Sequence, residues 1–335
     1  MLLLIGISNL LVIYVGGMQY IRGEIDNIGI IAEFIIYVNM LTWPVAVVGW
    51  VTSIVQQAEV SQRRINEFLQ ETPDIQNMQE KHTPVQGKIE FRNVSFTYED
   101  TNIQALKDVS FKIEQGKTLA ILGKTGSGKS TIAALIPRMY DVDQGDILID
   151  EQPIRELNLQ DLRESIGYVP QDAFLFSDSI KNNIRIGKEA ADDEEIRQAA
   201  ESAYILHNIE NFQNGFDTLV GERGVTLSGG QKQRVSIARA LIADPEILIF
   251  DDCLSAVDTE TEEIILKNLG KATKGKTTII ISHRTSSVKN ADHIIVLDHG
   301  QVVQSGVHED LIMKEGYYQD IYNQQLEEKL SGQES

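Results

Sequence analysis

Eight residues, Gly123-Lys124-Thr125-Gly126-Ser127-Gly128-Lys129-Ser130, constrain this chain more than any other stretch, because they complete the pattern G-x-x-x-x-G-K-[ST]. Ahead of them, residues 118–122 read as a short buried strand. Behind them, Ile132, Leu135, Ile136 and Met139 fall at helical spacing on one face. A strand, a glycine loop and a helix start in that order cradle phosphate. The glycines let backbone N–H groups converge without side-chain clash, and the helix N-terminus adds partial positive charge. Lys129 is placed to reach the β- and γ-phosphates, and the Ser130 hydroxyl to bind Mg²⁺. Pro137 removes a helix hydrogen bond, so the helix is expected to end or kink early. A glycine-rich turn without a ligand is the alternative, and the strand and helix around the loop argue against it.

Acidic residues outnumber basic ones by 49 to 30 in 335 residues, a net charge of −19. This argues against nucleic acid as the main partner, because binding its phosphates takes clustered Lys and Arg. One cysteine, Cys253, excludes an intrachain disulfide and points to a reducing compartment. Beside an apolar strand it reads as a small buried residue rather than a redox group.

Two long stretches carry no charge: residues 1–21, up to Arg22, and residues 34–58, between Glu33 and Glu59. Each suffices for a membrane-spanning helix, which takes about 20 apolar residues. The first lacks the basic segment and cleavage site of a signal peptide. Trp43 and Trp50, with Asn39 and Pro44 interrupting the second run, suit a helix that faces other helices. Arg63 and Arg64 then place that end in the cytoplasm, and two crossings return the N-terminus to the same side. Two helices cannot enclose a translocation path, and Met1 sits at or inside a span, so the N-terminus reads as cut.

From Ala58 to Thr72 the apolar spacing continues as an amphipathic helix, and residues 73–87 form a linker. Residues 88–98 and 110–113 alternate as strands of a half-buried antiparallel sheet, and residues 145–149 add another strand. Residues 155–215 read mostly as helices with polar joins. Residues 247–250 and 277–281 are short apolar runs suited to central parallel strands. A hairpin turning at His299-Gly300 leads to a C-terminal helix and a charged tail.

Leu227-Ser228-Gly229-Gly230-Gln231 opens a helix with Ser228 as its N-cap, and its two glycines permit close backbone approach to an anion. It lies just upstream of an apolar strand ending in Asp251, as a Walker B motif does. Together these motifs resemble the ATP-binding-cassette family. Leu227–Gln231 is similar to its signature motif, and residues 88–323 to its nucleotide-binding domain. The resemblance implies an α/β P-loop NTPase cassette, with a parallel core sheet, an antiparallel β subdomain and a helical subdomain, preceded by an α-helical transmembrane hairpin. It divides the chain into residues 1–72, the last two transmembrane helices and a cytoplasmic extension; a linker, 73–87; the cassette, 88–323; and a tail, 324–335. With helices fused ahead of the cassette, the chain looks like the C-terminal part of an exporter half-transporter, similar to bacterial multidrug and lipid exporters.

The resemblance also implies roles. ATP is bound by Tyr98, stacking on adenine, and by Gly123, Lys124, Thr125, Gly126, Ser127, Gly128, Lys129, Ser130 and Thr131. Mg²⁺ is held by Ser130, Asp251 and Gln171, and Gln171 also senses the attacking water and relays to the membrane domain. His283 contacts the γ-phosphate, Asp258 communicates across a dimer, and Glu222 touches the coupling helices. Leu227, Ser228, Gly229, Gly230 and Gln231 face the ATP of a second chain. ATP then joins two cassettes and hydrolysis releases them. The other histidines, His82, His207, His293, His299 and His308, read as surface or turn residues. The implied location is the plasma or inner membrane, multi-pass, with the cassette cytoplasmic. The implied partners are a second half-transporter, membrane lipid and a transported substrate, with no nucleic acid.

One residue departs from the family. After Asp251 the family usually carries Glu as the base that positions water; here it is Asp252. Its carboxylate falls short by roughly 1.5 Å, one C–C bond, and a 1 Å misplacement near chemistry costs about 100-fold in rate. Two readings stay open: a slow site in an asymmetric heterodimer, favoured over a homodimer, or an Asp that works through a small backbone shift. An exporter ATPase subunit is the leading function. The others are a near-inactive regulatory half and, more remotely, a soluble cassette ATPase acting on nucleic acid.

Overall fold

A computed structural model describes residues 2–221, 226–254, 257 and 259–331. The chain divides into two units, Met1–Asp74 and Ile75–Ser335.

The first unit is a helical hairpin of α1 (Leu2–Ile21) and α2 (Gly29–Gln70). Both helices are long and apolar enough to cross a membrane. Their large side chains, Trp43 and Trp50 among them, stay exposed within the unit. Gly16 lets the helices approach: a Cβ there would lie 2.9 Å from Ile31. Asn9 Nδ2 donates to Asn39 Oδ1 at 3.4 Å across the pair. The uncharged span continues into the amphipathic extension, as expected, and the two form one 42-residue helix with Pro44 inside it. At 1.5 Å per residue this is about 63 Å, longer than the ~30 Å hydrocarbon core that a span would cross. The charged residues Glu59, Arg63, Arg64 and Glu67 all lie in the C-terminal part of the helix.

The second unit opens with two antiparallel strands, β1 (Ile89–Tyr98) and β2 (Ile103–Ile113). Then follow β3 (Thr118–Gly123), the glycine loop and α3 (Lys129–Leu135). α3 stops two residues before Pro137, and Arg138 turns the chain at φ 51°. Ile132, Leu135 and Ile136 are fully buried as expected, but beyond this turn Met139 is half exposed rather than on the helix's core face. Strands β4 (Gln144–Ile149) and β5 (Gln152–Pro153) complete a sheet of order β2-β1-β4-β5.

Next come α4 (Leu159–Glu164), β6 (Ile166–Val169), α5 (Ile180–Arg185), α6 (Asp193–Ser202) and α7 (Leu206–Glu210). The region is mostly helical as expected, with the four-residue strand β6 added between α4 and α5. Gly167 in β6 packs tightly: a Cβ there would meet Leu248 and Pro245 at 2.8 Å. The last third supplies α8 (Gly229–Ile242), β7 (Ile247–Asp251), α9 (Thr259–Ala272), β8 (Thr277–Ile281) and α10 (Thr285–Val288). It closes with β9 (His293–Asp298), β10 (Gln301–Gly306), α11 (His308–Leu311) and α12 (Tyr317–Ser331).

The main sheet has the order β10-β9-β3-β8-β7-β6. It is parallel from β9 to β6, with β10 antiparallel at one edge. Parallel strands covered on both faces need apolar side chains throughout, and β7 and β8 are almost wholly buried. One core lies between the two sheets, and another joins α5–α8 to β7 and α9. In such sheets ligands bind at the carboxyl ends of the strands. Here those ends are Gly123, Asp251 and Ile281.

Candidate functional site

At the end of β3 the backbone leaves through Gly123, where a Cβ would lie 2.3 Å from the Leu297 carbonyl oxygen. Gly128, at φ +99°, caps α3 and leaves no room either, since a Cβ there would come 2.5 Å from the Ala105 carbonyl oxygen. These two positions admit only glycine because the loop is pressed between β2 and the β9–β10 turn. Lys129 is buried, and its Nζ donates to the carbonyls of Gly123 and Lys124, both at 2.9 Å. An ammonium has three donors, so the loop's own backbone uses two of them. Burial pushes the Lys129 pKa down, and the charges of Asp252 and Asp251 pull it back up.

Ser130 Oγ donates to Asp251 Oδ1 at 3.0 Å, and Tyr168 of β6 donates its hydroxyl to Asp251 Oδ2 at 3.3 Å. Burial pushes the Asp251 carboxyl up. The Ser130 and Tyr168 bonds and Lys129 oppose this, while the charge of Asp252 adds to it. A buried carboxylate beside a serine hydroxyl is an oxygen-only pair suited to a hard divalent cation that keeps water and phosphate as its other ligands. Among the described residues no group of three or more His, Cys, Asp or Glu makes a metal site alone.

Asp252 takes φ 46° directly after β7, and its N–H donates to the Ile281 carbonyl at 2.9 Å. Its Oδ2 accepts from Gln171 Nε2 at 3.5 Å and lies 3.9 Å from His283 Nε2. Burial raises its pKa, opposed by His283, Lys129 and Arg284. Cys253 beside it is buried, and burial pushes its thiol far up, as expected of a small core residue.

Tyr98, Thr125, Gly126, Gly128, Lys129, Ser130, Thr131, Gln171, Asp251, Asp252 and His283 thus line one open cavity of about 550 Å³. The Tyr98 hydroxyl bonds Thr131 Oγ1 at 3.2 Å, and its ring meets Phe96 and Tyr140 edge-on. Lys124 lies instead over the Tyr317 ring, 5.7 Å from its centroid. Ile103, Gln104, Ala105 and Lys107 of β2 and His299 and Gly300 of the β9–β10 turn line the same cavity, with no local pattern to mark them. Gly300 N donates to the Ser127 carbonyl at 3.2 Å, and the Gly300 carbonyl accepts from Lys107 N at 2.8 Å. His299, read from the sequence as a turn residue, is therefore also part of this wall.

The segment Leu227–Gln231 does not line the cavity of its own chain. Ser228 Oγ accepts from Gln231 N at 3.2 Å, and Gln231 Oε1 accepts from Ser228 N at 2.9 Å, a reciprocal cap on α8. The same helix reaches the Gln171 segment: Gln233 Nε2 donates to the Gln171 carbonyl at 3.4 Å, and Arg239 Nη1 to the Phe174 carbonyl at 3.1 Å. Glu222 and Asp258 lie outside the described residues.

Residues 106–255 match the sequence family described as ABC transporter. The chain is 43% identical over 324 residues to a probable multidrug resistance ABC transporter ATP-binding/permease protein, YheI, of Bacillus subtilis; the match covers 96% of this chain and 55% of that protein. It is 42% identical over 327 residues to the multidrug resistance-like ATP-binding protein MdlA of Escherichia coli, covering 97% and 55%. It is 43% identical over 316 residues to an ATP-dependent lipid A-core flippase of Desulfotalea psychrophila, covering 94% and 55%. The chain spans about half the length of these curated relatives. A solved bacterial Atm1-family ABC exporter with ATP bound superposes with a TM-score of 0.78 at 36% identity, over 89% of this chain and 52% of that one.

Proposed function

We propose that this chain, whose residues 106–255 match the ABC transporter family, carries the cassette of an exporter half-transporter and that this cassette binds and hydrolyses ATP. The observation that carries the proposal is one cavity at the carboxyl ends of neighbouring parallel strands. It joins Lys129, Ser130, Gln171, Asp251, Asp252 and His283, drawn from segments up to 154 residues apart (283 − 129). Residues 1–72 belong to the membrane domain, 73–87 to a linker, 88–323 to the cassette and 324–335 to the tail. The two apolar helices support a membrane location. The finer reading is a multi-pass protein of the plasma or inner membrane with its cassette in the cytoplasm.

The chemistry is positioning and charge stabilisation, as phosphoryl transfer demands. Lys129, held by the carbonyls of Gly123 and Lys124, neutralises β- and γ-phosphate oxygens. Tyr98 offers a ring to the adenine. Ser130 and Asp251, with the Gln171 amide oxygen, would hold Mg²⁺, which when bound screens the phosphate charge. Asp252 accepts the proton of the attacking water, and Gln171 and His283 beside its Oδ2 fix its aim. The Ser228 cap of α8 faces the γ-phosphate bound by a second chain, so two cassettes close on ATP and separate after hydrolysis.

A second reading is favoured by one residue. Asp252 stands where the family usually has the longer Glu, which suits a slow, regulatory half of a heterodimer. ATPase of the purified chain, measured with and without a second half-transporter, tests both readings. No ATPase in either state removes the hydrolase proposal. Turnover only with the partner, lost on Ser228→Arg in this chain, supports the asymmetric form.

A further inference from the structure

Helix α12 meets the nucleotide site at two places: Tyr317 lies beneath Lys124 of the phosphate loop, and Gln325, eight residues on (325 − 317), grips the segment carrying His283. Gln325 Nε2 donates to the His283 carbonyl at 2.9 Å. Gln325 Oε1 accepts from Thr285 N and from Thr285 Oγ1, both at 2.8 Å. The amide thus spends its donor and its acceptor on one three-residue segment. It also supplies what α10 lacks, because the N-cap of α10, Arg284, offers no side-chain acceptor and the Thr285 N–H would otherwise go uncapped.

On the other side, the Arg284 guanidinium bonds the buried Glu262 carboxylate, which also accepts from Ser287 Oγ. Backbone and flanking side chain are therefore both fixed. What remains free to face the cavity is the His283 imidazole, 3.9 Å from Asp252.

We propose that Gln325 is a positioning residue, through which the C-terminal helix sets where His283 stands over the γ-phosphate site. This rests on the reading of His283 as a γ-phosphate contact. Gln325 touches neither nucleotide nor the reacting atoms, so its loss acts on turnover rather than on ATP affinity.

The test uses the full chain purified in detergent, comparing the parent with Gln325→Leu, which keeps the bulk and loses all three bonds. One readout needs no turnover: carbethoxylation of each histidine by diethylpyrocarbonate, followed by peptide mass spectrometry. His283 should react about threefold faster or more in Gln325→Leu, with His82 and His293 unchanged. In ATPase assays kcat should fall about 10-fold with the KM for ATP held within about twofold. Gln325→Glu, which still accepts from Thr285 but cannot donate to His283, should fall between. Thr285→Ala, should Gln325→Leu fail to fold, should shift both readouts the same way by a smaller amount. Parental labelling of His283 in Gln325→Leu, or parental kcat, overturns the proposal. A parent chain without ATPase counts against the hydrolase reading instead, and the labelling comparison still decides the clamp.

Discussion

Asp252 Oδ2 and His283 Nε2 stand 3.9 Å apart, carried by residues just beyond the ends of the adjacent parallel strands β7 and β8. The approach is made by the backbone. Asp252 takes φ 46°, a left-handed conformation costing about 1–2 kcal/mol for an L residue, and its N–H is tied to the Ile281 carbonyl at 2.9 Å. A short carboxylate is thereby held where Gln171 and His283 both reach it.

If this chain contributes the slow half of a heterodimer, Asp252→Asn should change total ATPase by less than about twofold. Ser228→Arg should abolish it, because an Arg at the cap of α8 blocks the partner's γ-phosphate from that helix end. Steady-state ATPase of the purified complex decides. Near-complete loss on Asp252→Asn alone would make Asp252 the working base and end the asymmetric reading.

Lys129→Ala should weaken triphosphate binding by roughly 100-fold, the scale of losing one or two hydrogen bonds to a charged group. The residue is buried and anchored by two loop carbonyls, which hold its ammonium in one place beside the cavity. Titration of the full chain with a fluorescent ATP analogue measures this, and unchanged affinity would refute the site.

The raised Asp251 carboxyl makes a pH prediction. In the window between the ordinary carboxylate value and its raised one, the folded protein holds a proton that the unfolded chain has released. Stability therefore falls as pH rises through that window, and the penalty persists at neutral pH. Asp251→Asn should raise the nucleotide-free Tm at pH 7 by about 2–4 °C, with the gain shrinking toward acid pH. Thermal melts at the two pH values check it. A gain of equal size at both would mean that desolvation of the charge is not its cause.

Both ends of the α1–α2 hairpin should lie in the cytoplasm, given two uncharged runs followed by Arg63 and Arg64. Single cysteines placed in residues 23–27 of a Cys253→Ser background should react with an impermeant maleimide in intact cells. Reaction there only after permeabilisation would reverse the topology.

What the sequence determined was whatever depends on neighbours along the chain. The phosphate loop was legible because its geometry is a matter of local backbone freedom: Gly128 takes φ +99°, a conformation that favours glycine. Strands β1, β7 and β8 announced themselves by period two or by unbroken apolar runs, and Ser228 by the cap it offers α8. Packing decided the rest. β6 is four residues long, and its Gly167 is explained only by Leu248 and Pro245 pressing on it. Lys107, His299 and Gly300 entered the cavity wall because the β9–β10 turn folds over the loop, and Tyr168 became a partner of Asp251 because β6 lies beside β7. Gln325 carries no motif at all; its link to His283 exists because a C-terminal helix docks 42 residues downstream. Local patterns record steric freedom and which face of an element is apolar. They do not record which surfaces meet, because that is settled by burying those faces together across long separations in the chain.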